Sequence, residues 1–221
     1  MTVIGVIADS HVGEFLPALP DGVQSAFEGC DLILHAGDIC APGVLDELGR
    51  IAPVVAVRGD HDRLGATRLP RTQTLTVDGV RIGLIHGRRW YPVDIAVTLA
   101  HVAARRRLRW RAGLHRGLLR RVGPVDLVIY GHWHERDLGQ VGDTVVFSPG
   151  AVCPWGSLQT DPAPRPGIRG LADRVVLRYR RQLPADAVRP SVGRIAIEDG
   201  AITSIEVIDL ATGEVRAEPR G

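Results

Sequence analysis

Lysine is absent from this 221-residue chain, so all 27 of its basic residues are arginine; asparagine is absent as well. We read both gaps as the coding bias of a high-GC genome. Their consequence is chemical. Every cationic side chain other than histidine is a planar guanidinium that stays charged, and no asparagine amide can serve any site. A charge excess of one sign is also missing. The formal net charge of +2 excludes a chain-wide attraction for polyanions and leaves any basic surface local. Cysteine is scarce. Cys30, Cys40 and Cys153 have no C-x-x-C or paired spacing, which argues against a disulfide framework and for reduced thiols in a reducing compartment. No charged leader or cleavage site separates Met1 from the first apolar run, so a cytoplasmic protein without a signal peptide is expected. No stretch approaches the ~18 apolar residues of a membrane helix.

What the chain does contain, at intervals, is a short β-like apolar run with Asp or His at its end. Residues 3–8 are followed by Asp9-Ser10-His11, residues 32–34 run on to Gly37-Asp38, and residues 54–57 to Gly59-Asp60-His61-Asp62. Residues 82–85 end on His86-Gly87, and residues 127–130 on Gly131-His132-Trp133-His134. Charge placed directly after a buried strand is costly unless something pairs with it, and metal ions would. The first three runs are apolar without alternation, as in strands buried on both faces. Helical segments near 23–27 and from Pro42 to Leu48 separate them. That β-α-β-α-β order predicts a parallel sheet with Asp9, Asp38 and Asp60 together at its carboxyl edge.

After Asp62 the rhythm changes. Residues 73–77 and 80–85 flank Asp78-Gly79, a strong hairpin signal. Residues 92–122 carry Ile95, Leu99 and Val102 at helical spacing, with Gly113 or Gly117 as breaks, and are dense in arginine. Strands are expected at 127–130 and 145–147 and a helix at 171–181. A second hairpin, 193–197 with 202–208, turns over Asp199-Gly200, and the tail from Ala211 reads as frayed. Length and a hydrophobic content of 45% fit one domain spanning 1–221. Within it, 88–123 reads as an Arg-rich helical insertion and 154–190 as a Pro/Arg-rich one. Most of these arginines fit a solvated helix face. Arg88 and Arg89, close behind His86, fit substrate binding, because guanidinium forks match phosphate. His35 reads as a core or supporting histidine, and His101 and His115 as solvated. Trp133 either stacks on a base or an aromatic leaving group, or packs beneath its own loop.

Asp9, His11, Asp38, Asp60, His86, His132 and His134 together offer carboxylates and imidazoles to a pair of divalent ions. Such a pair, about 3.5–4 Å apart, is a standard device for phosphoryl transfer. The mixed nitrogen and oxygen donors suit Mn, Fe, Zn, Co or Ni. In order and spacing, D-x-H, G-D, G-x-H-D, H and G-H-x-H resemble the motif series of the calcineurin-like metallophosphoesterases, nearest their small single-domain phosphodiesterase branch of bacteria and archaea. The resemblance implies an α/β fold, a four-layer α/β-β/α sandwich of two mixed sheets flanked by helices. It implies Asp9, His11 and His134 on one metal ion, Asp60, His86 and His132 on the other, and Asp38 bridging both. It further implies that His61 gives a proton to the leaving group or holds the phosphate, with Asp62 orienting its ring. The implied reaction is hydrolysis of a phosphodiester, nucleotide-like or another small phosphate ester, by metal-bound hydroxide, with Mn²⁺ as the expected cofactor.

One position departs from the family pattern, which has Asn where this chain has Asp60. Two dications against Asp9 and Asp38 leave two positive charges, and Asp60 reduces that to one. This raises the pKa of a bridging water and weakens the pull on a phosphate dianion, so singly charged diesters should be preferred. Two alternatives belong to other classes. One is a metal-retaining protein-interaction scaffold without catalysis, as in a eukaryotic trafficking subunit that resembles this fold; such a scaffold should have lost ligand histidines. The other is a nuclease that holds a short single strand on residues 105–111, against which the small net charge argues. The expected partner is a small phosphate-ester substrate, with no membrane; self-association into a homo-oligomer is left open.

Overall fold

Side chains alternate across a strand, and in β1 (Thr2–Ile7) both faces are apolar: Ile4 and Val6 point one way, Val3 and Ile7 the other. A strand of that kind must be covered on both sides, which fixes a layered architecture. The computed structural model of the protein describes all residues except 63–67, 89–90, 105–110, 154–166, 183–188 and 218–221. After β1 come α1 (Gly22–Phe27), β2 (Leu32–His35), α2 (Gly43–Gly49), β3 (Val54–Ala56), and the hairpin of β4 (Thr72–Val77) and β5 (Val80–Ile85). Next are α3 (Tyr91–Ala104), α4 (Arg111–Val122), β6 (Leu127–Ile129), β7 (Arg136–Val141) and β8 (Thr144–Pro149). The chain ends with α5 (Gly167–Arg180), β9 (Ser191–Glu198), β10 (Ala201–Asp209) and β11 (Val215–Ala217).

The strands form two mixed sheets. In the first, ordered β11-β10-β9-β1-β2-β3, strands β1, β2 and β3 run parallel, and β9 joins β1 antiparallel. In the second, ordered β4-β5-β6-β8-β7, strands β5, β6 and β8 run parallel. Ile4, Val6, Leu34 and Ile195 of the first sheet meet Ile82, Leu84, Ile129 and Phe147 of the second in the central core. The outer face of the first sheet buries Ile7 and Ile33 against Phe27 of α1 and Leu48 of α2. The outer face of the second buries Ile85, Val128 and Val146 against Leu114 and Leu118 of α4. The result is the expected four-layer sandwich. Phe27 is fully buried, and truncating it to alanine should cost about 3–5 kcal/mol.

Several expectations need correction. Gly113 and Gly117 lie inside α4 and break nothing. β7 was not anticipated. It pairs with β8, and its Asp137 accepts hydrogen bonds from His115 Nε2 at 2.7 Å and from the Tyr130 hydroxyl. His115 is thus buried rather than solvated, and it ties α4 to the end of β6 and to β7. Part of the tail is not frayed, since β11 pairs with β10. α3 packs against α5. No helix among the described residues is long and apolar enough to cross a membrane.

Candidate metal centre

The carboxyl ends of β1, β2 and β3, and of β5 and β6 in the facing sheet, bring the sequence-predicted residues to one edge of the sandwich. Close backbone contact is required there. A Cβ on Gly59 would stand 2.2 Å from Asp38 Oδ1, and one on Gly131 2.8 Å from Asp9 Oδ2, so only glycine lets these loops meet. The loops are also strained. Asp9, His11, Asp38, His132 and His134 all have left-handed backbone, with φ from 46° to 75°. For non-glycine residues this conformation costs about 1–2 kcal/mol each, and such strain persists where the surroundings enforce it, commonly at functional sites.

Donor atoms converge in overlapping groups. Asp9, His11 and His134 form one set whose ligand atoms lie within 4.8 Å of one another; Asp60, His86 and His132 form a second; Asp9, Asp38 and His86 a third. Asp38 Oδ2 lies 3.5 Å from His11 Nε2 and 3.2 Å from His86 Nε2, between the first two sets. His134 Nε2 is 3.8 Å from Asp9 Oδ1, and His132 Nδ1 is 3.5 Å from Asp60 Oδ2.

The other nitrogen of each imidazole is engaged by an acceptor. His86 Nδ1 donates to the Ala36 carbonyl at 2.9 Å and His134 Nδ1 to the Cys153 carbonyl at 2.8 Å. A carbonyl can only accept, so these protons sit on Nδ1 and each Nε2 presents a lone pair when the ring is neutral. His11 Nδ1 lies 3.2 Å from Glu14 Oε2, and His132 Nε2 lies 3.4 Å from Asp94 Oδ2. Outer partners of this kind fix the tautomer and orientation of metal-binding histidines. In consequence, His11 Nε2 and His134 Nε2 face each other at 3.2 Å with no proton assigned to either. Buried His86 Nε2 makes no hydrogen bond of acceptable geometry, although Asp38 is close. Lone pairs brought together in this way, beside buried carboxylates, fit a cation between them.

Electrostatics in the metal-free chain point the same way. Burial pushes the Asp9 carboxyl above its ordinary range. Burial opposes charge on His86, but the neighbouring Asp38 and Asp9 carboxylates outweigh it and raise the imidazolium to about 10. Burial likewise opposes ionisation of Asp38, yet His86 and His11 hold it well below the usual carboxylate range. Carboxylates that favour a positive charge on buried His86 would favour a cation there as well.

The remaining predicted residues fall as follows. Asp62 does not orient the His61 ring. Its buried carboxylate accepts four backbone N–H groups instead: Ile39 at 2.7 Å and Cys40 at 2.8 Å on Oδ1, Asp38 at 3.1 Å and Gly59 at 2.7 Å on Oδ2. It therefore locks the Asp38 loop to the Asp60 loop. The His61 ring lies on Glu14, with Nδ1 2.8 Å and 3.0 Å from the two carboxylate oxygens. That hydrogen bond, against the effect of burial, raises the His61 pKa. Burial opposes ionisation of Glu14, but hydrogen bonds to His11 and His61 hold it far below its ordinary range. Arg88 Nη1 pairs with Asp60 Oδ1 at 2.7 Å at the rim of the second set; Arg89 lies outside the described residues. Trp133 sits edge-on to His132, with ring centroids 5.7 Å apart, and is half-buried against the apolar cluster beneath α4. His35 is buried and pushed down to about 3 by that burial; its neutral ring bonds Ser10 Oγ at 3.0 Å and accepts the Gly37 N–H.

Glu14 and Asp94 were missed. Glu14 follows D-x-H by three residues, and only its reach to two histidines gives it meaning. Asp94 sits in the first turn of α3, where an acidic residue is ordinary helix chemistry. It ties α3 to the site.

Residues 1–163 match the calcineurin-like phosphoesterase superfamily domain. A probable metallophosphoesterase of Methanothermobacter thermautotrophicus is 34% identical over 161 residues, which cover 73% of this chain and 82% of that protein. A phosphodiesterase of Methanocaldococcus jannaschii is 23% identical over 164 residues, covering 68% of this chain and 84% of the other. Among solved structures, Vps29 of Entamoeba histolytica complexed with zinc superposes with a TM-score of 0.64 at 22% identity, covering 98% of this chain and 97% of that one. The last likeness is one of fold. The family match and the archaeal relative establish that this chain belongs to the calcineurin-like phosphoesterase superfamily.

Proposed function

We propose that this protein is a binuclear metal-dependent phosphoesterase that hydrolyses a small phosphodiester. The observation that carries this reading is the inward convergence of imidazole nitrogens whose outward nitrogens are already engaged by protein acceptors. Asp9, His11 and His134 would hold one divalent ion, Asp60, His86 and His132 the other, and Asp38 would touch both. The donor set suits Mn²⁺, and equally Fe, Zn, Ni or Co. Bound ions supply Lewis acidity, which acidifies water and neutralises phosphate oxygens.

The chain's own residues orient the ester and handle the proton. Hydrolysis adds the oxygen of water to phosphorus, with one of its protons lost to solvent, and breaks the bond to the leaving oxygen. The electron pair of that bond takes the Nε2 proton of a doubly protonated His61 ring, whose Nδ1–H stays on Glu14. Asp62 keeps the Asp38 and Asp60 loops at fixed separation, so the ligands need not reorganise during the reaction. Asp60 lowers the positive charge of the site, which favours a singly charged diester over a dianionic monoester; Arg88, 41% exposed, offsets this only in part because water screens it.

Parallel assays with a bis-nitrophenyl diester and a nitrophenyl monoester under Mn²⁺ test the proposal. It expects diester turnover above monoester turnover, with both abolished by chelator. Hydrolysis indifferent to chelator would contradict it.

A further inference from the structure

We propose that Glu14 is a shared positioning carboxylate that holds both the metal-facing His11 and the proton-donating His61, and so links metal affinity to leaving-group departure. The inference rests on the phosphoesterase reading and assigns a role to a residue outside the predicted ligand set. Glu14 is fixed by a tight turn: its N–H and that of Phe15 both donate to the His11 carbonyl, at 3.1 Å and 2.9 Å, and Gly13 N–H donates to Leu16. The turn carries the carboxylate back over the ring three residues earlier. There Oε2 lies 3.2 Å from His11 Nδ1 and 2.8 Å from His61 Nδ1, while Oε1 lies 3.0 Å from His61 Nδ1. The Cys40 thiol donates to the same Oε2 at 3.4 Å.

Each contact has a distinct consequence. On His11, an acceptor at Nδ1 places the ring proton there and leaves Nε2, 3.2 Å from His134 Nε2, as a metal donor. On His61, the same acceptor holds Nδ1–H of the doubly protonated ring and leaves Nε2–H as the proton offered to the leaving oxygen. The two rings stand edge to face, with centroids 4.9 Å apart. The His61 backbone N–H is fastened to Asp38 Oδ1 at 2.8 Å, so its ring is located by a bridging-ligand candidate on one side and by Glu14 on the other. Phe15 walls the pair, its ring 5.0 Å from that of His11 and 6.3 Å from that of His61. Loss of Glu14 should free both rings at once.

The test uses the full chain with Mn²⁺ as probe. Calorimetric titration measures metal affinity, and steady-state hydrolysis compares two diesters with identical bodies, one with a nitrophenyl leaving group and one with phenyl. Nitrophenolate departs without a proton; phenolate needs one. Glu14→Ala should weaken one class of Mn²⁺ site by roughly 10–100-fold and slow the phenyl ester more than the nitrophenyl ester. Glu14→Gln, which keeps the volume and one acceptor, should recover part of both effects and guards against simple misfolding. In a His61→Ala background, Glu14→Ala should still weaken Mn²⁺ but no longer alter the ratio between the esters. Unchanged Mn²⁺ affinity in Glu14→Ala, or equal slowing of both esters, would overturn the assignment. An unsubstituted protein that bound no Mn²⁺ and cleaved neither ester would instead defeat the phosphoesterase reading itself.

Discussion

Removing the Asp62 carboxylate should destabilise the whole fold, because it clamps two loops and does not serve a single ring. Asp62 is 7% exposed and accepts four backbone N–H groups from the loops after β2 and β3. Hydrogen bonds to a charged partner contribute about 1.5–3 kcal/mol each, so four of them set a ceiling of about 6–12 kcal/mol. Water entering the vacated space satisfies some of the stranded amides, which brings the expected loss for Asp62→Ala to about 4 kcal/mol. In a protein of this size each kcal/mol moves the unfolding midpoint by about 2–4 °C, so the variant should melt about 8–16 °C lower. Asp62→Asn keeps one acceptor and turns its NH₂ towards the other two amides, so it should lose roughly half as much. Thermal unfolding followed by circular dichroism, in chelator, reads these differences without a metal contribution. A midpoint for Asp62→Ala within about 2 °C of the parent, with turnover collapsed, would refute the clamp and return Asp62 to the ring of His61.

Other predictions concern charge and outer partners. Asp60 adds one negative charge to the second donor set, and the exposed Arg88 guanidinium 2.7 Å from it offsets this only in part because water screens it. Asp60→Asn should therefore weaken Mn²⁺ binding and raise monoester turnover by roughly tenfold each; turnover and metal content falling together would contradict the electrostatic argument. Asp94→Asn, which weakens the support behind His132, should lower Mn²⁺ affinity about tenfold in a calorimetric titration, and no change would separate α3 from the site. The folded-state value of His86 lies above the unfolded reference of about 6.5. Its protonated form stabilises the metal-free chain fully below that pH, and the contribution is lost as pH rises through about 10. Chelated protein should thus lose melting temperature across that window, whereas Mn²⁺-loaded protein should not; parallel curves would count against the assignment of His86 as a ligand.

The cluster of Asp and His side chains was legible because strands dictate where it gathers. Buried apolar runs can end in only a few ways, and Asp or His at several successive ends marks one edge of a sandwich. The hairpin at Asp78-Gly79 was equally plain, since both residues take the positive φ that its turn requires. What the sequence concealed depends on contacts distant along the chain. Asp62 follows His61 directly and suggests a dyad, yet its oxygens are taken by amides beyond β2. β7 reads as a loop because of Gly139 and its polar neighbours. A Cβ at Gly139 would stand 2.5 Å from the His115 ring, so the residue that weakens the strand signal is the one that admits the histidine. His115 itself sits among arginines and looks solvated until Asp137 is placed behind it. β11 is short and exposed along its length, so no burial pattern announces it.

Metal stoichiometry tests the central claim most directly. Chelator-stripped protein titrated with Mn²⁺ and assayed for bound metal should take up two ions per chain, regaining diester hydrolysis as the second site fills. Uptake of no transition ion, with hydrolysis unaffected by its removal, would contradict the account at its root.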